Sequence, residues 1–300
     1  MSEILKTVGL TKFYGQERGI EEINISIKKG EIFGFIGPNG AGKSTTIRTI
    51  LGLLKPTRGE VTIFGENALT NGSKVRQKIG YLPSEVFYYD NMNAVQLLRY
   101  SASFYPIKKQ LVEARIKELA SLMQLDLNKK IEDMSYGNKK KVGVIQGLLH
   151  QPDLIILDEP TGGLDPLMQK QFYELLRTEN KRGATILFSS HNLNEVQNMC
   201  HRVAIIRQGK IIKLDAVEAL LDKSYKRVKL QLKKPEAAAA IATNGQLADF
   251  KKDDEKTTSF LWNGSIKELT KLLASHELTN FLVEDPDLEE IFLHYYQNEQ

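Results

Sequence analysis

The sequence predicts an α/β fold, with a mostly parallel central sheet covered by helices on both faces and a smaller α+β unit at the C-terminal end. Three observations carry this expectation. Wholly apolar runs such as EIFGFIG, LIILD and TILFSS alternate with stretches whose apolar residues recur every three or four positions, and strands buried on both faces that alternate with helices form parallel sheets. The segment Gly37–Ser44, GPNGAGKS, lies between one such apolar run and a helical one. Near Lys223 the composition turns basic and alternating, as KSYKRVKLQLKKP, which marks the start of another unit.

Taken in order, ILKTVGLTKFYG and INISIK read as strands of an N-terminal β region, ending at a Lys-Lys-Gly turn. EIFGFIG is a buried strand. A helix over IRTILGLL stops at Lys55-Pro56, and the strands VTIFG and IGYLP follow. From Ala94 to about Leu125 the spacing is helical, with a break at Tyr105-Pro106, and a helix beyond Met134–Lys141 runs to Gln151-Pro152. LIILD is a strand, MQKQFYELLRTENKRG a helix, TILFSS a strand, NLNEVQNMC a helix, and VAIIRQGKIIKLD a hairpin around Gln208-Gly209. In the C-terminal unit, strand 227–232, helix 235–243, strands 248–252 and 257–262, helix 265–274 and strand 279–284 make a split βαβ pattern. A last helix is expected over DLEEIFLHYY.

The chain's 300 residues suffice for a large domain and a small one, and 41% hydrophobic with 26% charged residues fit a globular protein. A net charge of +4 is too small to argue for a nucleic-acid partner. The one cysteine, Cys200, excludes an internal disulfide, and His201 beside it reads as structural rather than as a metal ligand. The first residues, MSEILKTVGL, lack the basic and long apolar regions of a signal peptide. No apolar stretch reaches the roughly 18 residues needed to span a bilayer, so action at a membrane requires another chain to cross it.

GPNGAGKS fits the phosphate-loop pattern G-x-x-x-x-G-K-[ST] in the required setting between strand and helix. Its glycines let backbone N–H groups close around phosphate oxygens at a helix N-terminus. Lys43 is expected to reach the β- and γ-phosphates of a nucleotide, and Ser44 to bind Mg²⁺. LIILDE delivers Asp158 beside this loop as a second Mg²⁺ ligand. Glu159, at the strand end, is expected to turn toward the γ-phosphate, orient water and accept its proton. The competing reading is an acidic strand end that meets a helix dipole or solvent. His191 ends the strand TILFSS in the same crevice, as a contact to the γ-phosphate and water.

In order and spacing, GPNGAGKST, SYGNKKKV, LIILDEPTGGLDP and SSH resemble ATP-binding-cassette (ABC) ATPases over about residues 3–222. The resemblance implies a P-loop NTPase cassette with an antiparallel N-terminal β subdomain and a helical subdomain near 90–150. It gives an ATPase domain over 1–222 and an accessory domain over 223–300. The overall pattern is similar to stand-alone ATPase subunits of bacterial transporters. The ending PDLEEIFLHYY resembles exporter ATPases of the antibiotic-resistance and peptide-export type.

What the family implies is an ATPase using ATP and Mg²⁺, peripheral on the inner face of the cell membrane. Its partners would be a second copy of itself or a homologous subunit, paired head to tail, and a membrane permease chain. The nucleotide would be held by Gly37, Pro38, Asn39, Gly40, Ala41, Gly42, Lys43, Ser44 and Thr45. Ser135, Tyr136, Gly137 and Asn138 fall on the signature segment that covers the partner's nucleotide, where the family usually has Leu-Ser-Gly-Gly-Gln. Tyr136 replaces a glycine there and Asn138 a glutamine. Ser84 stands where the family places a glutamine that contacts Mg²⁺ and water, so it is a candidate metal contact with a shorter reach. Tyr14 falls where an aromatic side chain stacks on adenine, with Phe13 as the alternative, and Asp165 on the loop that crosses to the partner's site. Lys139–Lys141 read as a solvated face. Phe87, Tyr88 and Tyr89 suit contact with a membrane chain or internal packing. A soluble, non-transport ABC protein or a nucleotide-dependent regulator is the alternative function.

Overall fold

The computed structural model describes residues 2–86, 88–89, 91–220 and 225–286; Phe87 and the expected last helix, 287–296, lie outside the described residues. The chain divides into two compact units, Met1–Asp215 and Ala216–Gln300.

In the first unit, strands β1 (Glu3–Tyr14) and β2 (Glu17–Lys28) pair antiparallel. They form a sheet of order β2-β1-β4-β5 with β4 (Arg58–Ile63) and β5 (Glu66–Asn67). Strand β3 (Ile32–Ile36) enters the second sheet and leads to helix α1 (Lys43–Ile50). After helix α2 (Gly72–Arg76) come β6 (Ile79–Leu82), helices α3 (Ala94–Ala102), α4 (Lys109–Leu122) and α5 (Tyr136–Leu148), then β7 (Leu154–Asp158), α6 (Pro166–Lys181), β8 (Thr185–Ser190), α7 (Leu193–Met199), β9 (Arg202–Arg207) and β10 (Lys210–Ala216). The second sheet has the order β10-β9-β3-β8-β7-β6. Its β3–β8, β3–β9, β6–β7 and β7–β8 pairs are all parallel. Every residue of β3, β7 and β8 is buried, as their unbroken apolar runs require.

Helix α1 is enclosed by both sheets. Ile47 and Ile50 belong to one core cluster with Leu5 and Ile23 from the antiparallel sheet and Ile156 and Ile206 from the parallel one. It starts four residues before the expected Ile47, at the end of the phosphate loop, and ends at Ile50. The helical block α3–α5 is tied to α6 by Arg115 of α4, whose guanidinium pairs with the buried Glu179. Arg182 also pairs with Glu179, at 3.0 Å, and donates to the carbonyl of Pro152 at 2.7 Å. One carboxylate thus meets two cations, which offsets the cost of burying it.

In the second unit, helix α8 (Val217–Leu220) precedes β11 (Tyr225–Leu232), α9 (Ala237–Ala242), β12 (Leu247–Lys252), β13 (Thr257–Asn263), α10 (Ile266–Ala274) and β14 (Leu278–Glu284). The sheet order β12-β13-β11-β14, antiparallel throughout, is what a split βαβ unit requires. Val228 and Leu230 alternate with exposed Lys229 and Gln231 along β11, and pack with Phe260, Trp262, Ile241 and Leu269.

His150, just past α5, stacks on Tyr105 with ring centroids 3.9 Å apart and lies 3.1 Å from the carbonyl of Ile79. Burial, opposed by that hydrogen bond, lowers its pKa from 6.5 to about 4. Since the folded-state value is depressed, the unfolded chain takes up the proton first. Stability is therefore present above pH 6.5 and is lost as the pH falls toward 4. Urea midpoints of the wild type should fall more steeply between these pH values than those of His150→Phe; parallel curves would contradict this.

Candidate active site

After β3 the chain turns through Gly37–Gly42 and enters α1. Gly42 has φ of 109°, which a side chain would strain. Its carbonyl accepts the Thr46 amide at 2.9 Å. The amides of the first helical turn have no partner within the helix, and they open on a cavity of about 520 Å³ lined by Asn39, Gly40, Gly42, Lys43, Ser44 and Thr45. Gly37 and Ala41 are buried behind the loop, and Pro38 is exposed. This is an anion site by construction. Lys43, itself buried, donates to the carbonyls of Gly37 at 2.7 Å and Pro38 at 3.1 Å, and pairs with Glu159 Oε1 at 3.0 Å.

Parallel pairing sets Asp158 opposite Ser189. Ser189 Oγ donates to Asp158 Oδ1 at 2.9 Å and accepts the Glu159 amide at 3.1 Å. Glu159 has φ of 47°, so it leaves the alternation of the strand and turns its carboxylate into the cavity, beside Lys43 on one oxygen and His191 Nδ1 at 3.3 Å on the other. Burial raises the Glu159 pKa, but the hydrogen bond and charge of Lys43, aided by His191, outweigh it and hold the carboxyl below its ordinary value. His191 itself is exposed.

Asp158 Oδ2 is buried and has no hydrogen-bond partner. An orphaned carboxylate oxygen beside a phosphate cradle fits a hard cation. Among the described residues no group of three or more His, Cys, Asp or Glu could hold a metal. A Mg²⁺ here would thus rely on few protein oxygens, with phosphate and water completing its shell, as that ion prefers. Ser44 and Ser84 line the cavity, and Asp158 precedes Glu159, which also lines it; Ser44 and Asp158 would be the residues to hold the ion.

Tyr14, half exposed, lines the cavity, whereas Phe13 does not; the Phe13 amide is held by Thr57 Oγ1 at 2.9 Å. Ser135 caps α5, its Oγ accepting the Asn138 amide at 3.4 Å. Neither it nor Gly137 nor Asn138 lines the cavity of its own chain, but Tyr136 does. Asp165 caps α6 by accepting the Met168 amide at 2.9 Å.

The lysine run departs from the solvated face expected of it. Lys140 is fully buried, with its pKa pushed down to about 8 by burial, against the opposing charges of Asp158 and Glu159. It stands four and eight residues before Val144 and Leu148, both buried, so helical spacing held the signal while its charge pointed the other way. Glu17, Arg18 and Glu85 also line the cavity, without a motif to mark them. A second cavity, of about 580 Å³, lies among Tyr88, Tyr89, Tyr100 and Phe104. Tyr89 and Phe104 are more than half exposed, and Tyr88 is only partly so.

Residues 20–162 match the family model described as ABC transporter. The chain is 38% identical to the bacitracin transport ATP-binding protein BcrA of Bacillus licheniformis, over 80% of this chain and 79% of that one. It is 36% identical to the linearmycin resistance ATP-binding protein LnrL of Bacillus subtilis, over 70% and 68%. The dimeric structure of an ATP-binding cassette bound to ADP and Pi, in a post-hydrolysis state, superposes with a TM-score of 0.66 at 25% identity, covering 71% of this chain and 98% of the other.

Ser189→Ala removes the hydroxyl that holds the Asp158 carboxylate and the Glu159 backbone amide. It should lower ATP turnover severalfold and stability by about 1–3 kcal/mol, read from steady-state rates and urea midpoints; unchanged turnover would show that Ser189 does not position them.

Proposed function

Because the chain belongs to the ATP-binding subunits of ABC transporters, we propose that it powers an exporter, paired head to tail with a second copy or a homologous subunit and docked on a separate membrane-spanning chain. It is an ATPase. The observation that supports the pairing is a division of labour. Lys43, Ser44 and Glu159 line one cavity, with Asp158 next to Glu159 in the chain, while Ser135, Gly137 and Asn138 do not line it and Tyr136 among them does. A partner's α5 would cover the γ-phosphate with the Ser135 hydroxyl and the positive end of a helix. Asp165 would sit on the loop that crosses between the sites.

Within a site, Tyr14 would stack on adenine and the phosphate loop would hold the phosphates. Lys43 would exchange the Gly37 and Pro38 carbonyls for phosphate oxygens. That exchange also frees Glu159. With Lys43 drawn to phosphate, the carboxylate loses the partner that lowers its pKa and becomes a stronger base toward the attacking water. His191 would hold Glu159 in place through Nδ1. Mg²⁺, bound through Ser44 and Asp158 with Ser84 in reach, would neutralise phosphate charge.

Export as the direction is supported by the names of the relatives, one in bacitracin transport and one in linearmycin resistance. No helix among the described residues is long and apolar enough to cross a membrane. We place the chain on the inner face of the membrane, with the exposed aromatics around Tyr89 and Phe104 toward the permease.

Glu159→Gln should reduce kcat by at least about 10²-fold, the weight of a general base, while ATP and Mg²⁺ still bind and shift the chain to a dimer in size-exclusion chromatography with light scattering. Rapid turnover in this variant would remove Glu159 from that role.

A further inference from the structure

Two positions that depart from the pattern of the family the sequence resembles, Tyr136 and Ser84, touch each other. Tyr136 Oη donates to the Ser84 carbonyl at 3.2 Å. One turn along α5, Lys140 Nζ donates to the same carbonyl at 2.8 Å and to that of Pro83 at 3.0 Å. Another turn on, α5 presents Gly143, where a Cβ would stand 2.8 Å from Leu82 Cδ1 and 3.1 Å from Val86 Cγ1. Positions 136, 140 and 143 share one helical face, and that face carries the loop after β6 from Leu82 to Val86.

Two of these contacts are unusual in kind. Lys140 is fully buried, and an ammonium taken out of water is costly unless fixed by good acceptors. Both of its acceptors are loop carbonyls, so the charge is committed to the backbone of the loop rather than to a side chain. The side chain of Ser84 is short and leaves the carbonyl as the handle by which the loop is held.

We propose that Lys140 and Tyr136 are positioning residues that fasten the Ser84 loop of each nucleotide site to the signature helix of the same chain. That helix faces the other site of the dimer in the reading above, on which this inference rests. Each chain then carries its own site loop and its partner's phosphate cap on one rigid piece. Movement of the loop when nucleotide arrives is passed to the opposite site through α5. The clamp acts on the backbone, so it does not depend on what the side chain at 84 binds.

The test uses the full-length chain with ATP and Mg²⁺. Lys140→Met keeps the length of the side chain and removes the charge. It should lower kcat tenfold or more while KM for ATP changes less than about twofold. Lys140→Arg should keep most of the activity, and Tyr136→Phe should lose two- to threefold. Hydrogen exchange of the peptide over Leu82–Val86 should speed up in Lys140→Met and Tyr136→Phe, with the exchange of β3 and β7 unchanged. If Lys140→Met does not fold, Tyr136→Phe and its loop exchange decide the matter. Wild-type kcat and loop exchange in these variants, or an Arg variant no better than Met, would overturn the clamp while leaving the ATPase reading intact. An unmutated chain that binds no ATP would instead remove the reading beneath it.

Discussion

Two carboxylates adjacent in the chain must face different chemistry, and the site depends on how they are kept apart. Asp158 ends β7 inside the protein, fully buried, and Glu159 has to leave it for the cavity. The chain manages this with a left-handed residue at 159, a conformation that costs a non-glycine residue about 1–3 kcal/mol. Ser189 secures it, since its Oγ serves both residues and its carbonyl also lies 3.2 Å from the Glu159 amide. Sheet register therefore builds the site as much as any motif does. A slip of one residue between β7 and β8 would turn Ser189 to the other face and take its hydroxyl from the Asp158 carboxylate and the Glu159 amide.

Around this pair the electrostatics are poised. Lys43 meets Glu159, and Lys140 lies buried beneath with Asp158 and Glu159 as its opposing charges. Cations and anions are thus already matched before a nucleotide adds its phosphates. In the proposed reaction the arriving negative charge would compete for Lys43 and release Glu159. In the proposed pairing the hydroxyl and amides at the start of α5 would serve the partner's site, and Ser135, Gly137 and Asn138 do not line the cavity of their own chain. Such an arrangement would couple chemistry to assembly without a catalytic acid or base in the covering segment. Dipoles and a hydroxyl suffice where the charge to be stabilised lies on phosphate.

The parts that were legible in the sequence are those where the backbone restricts the residue type. Glycines of the phosphate loop, apolar strands buried on both faces, and the Gln208-Gly209 hairpin, with φ of 47° and 77°, announce themselves. The split βαβ order of the second unit could be read because apolar and polar residues alternate cleanly along β11. Less could be read where tertiary contacts override local pattern. β2 runs for twelve residues, but register shifts opposite Leu10 and Lys12 of β1 break its alternation, so only its second half, INISIK, reads as a strand. Helix α1 begins at Lys43 because a left-handed glycine starts it, ahead of the apolar spacing. Lys140 was hidden by its charge. Asp165 was read for a role between chains, and its job of capping α6 ahead of Pro166, a common pairing at helix starts, went unread.

The central claim is that each nucleotide is gripped by one chain and covered by another, and cross-complementation tests it most directly. A chain carrying Lys43→Ala and a chain carrying Ser135→Arg should each be inactive alone, since each damages both sites of its own dimer. Mixed in equal amounts, they should regain up to about a quarter of wild-type ATPase activity. Half of the dimers would be mixed, and each of those would hold one intact site. Activity that stays absent in the mixture, with mixed dimers demonstrated to form, would contradict the shared site.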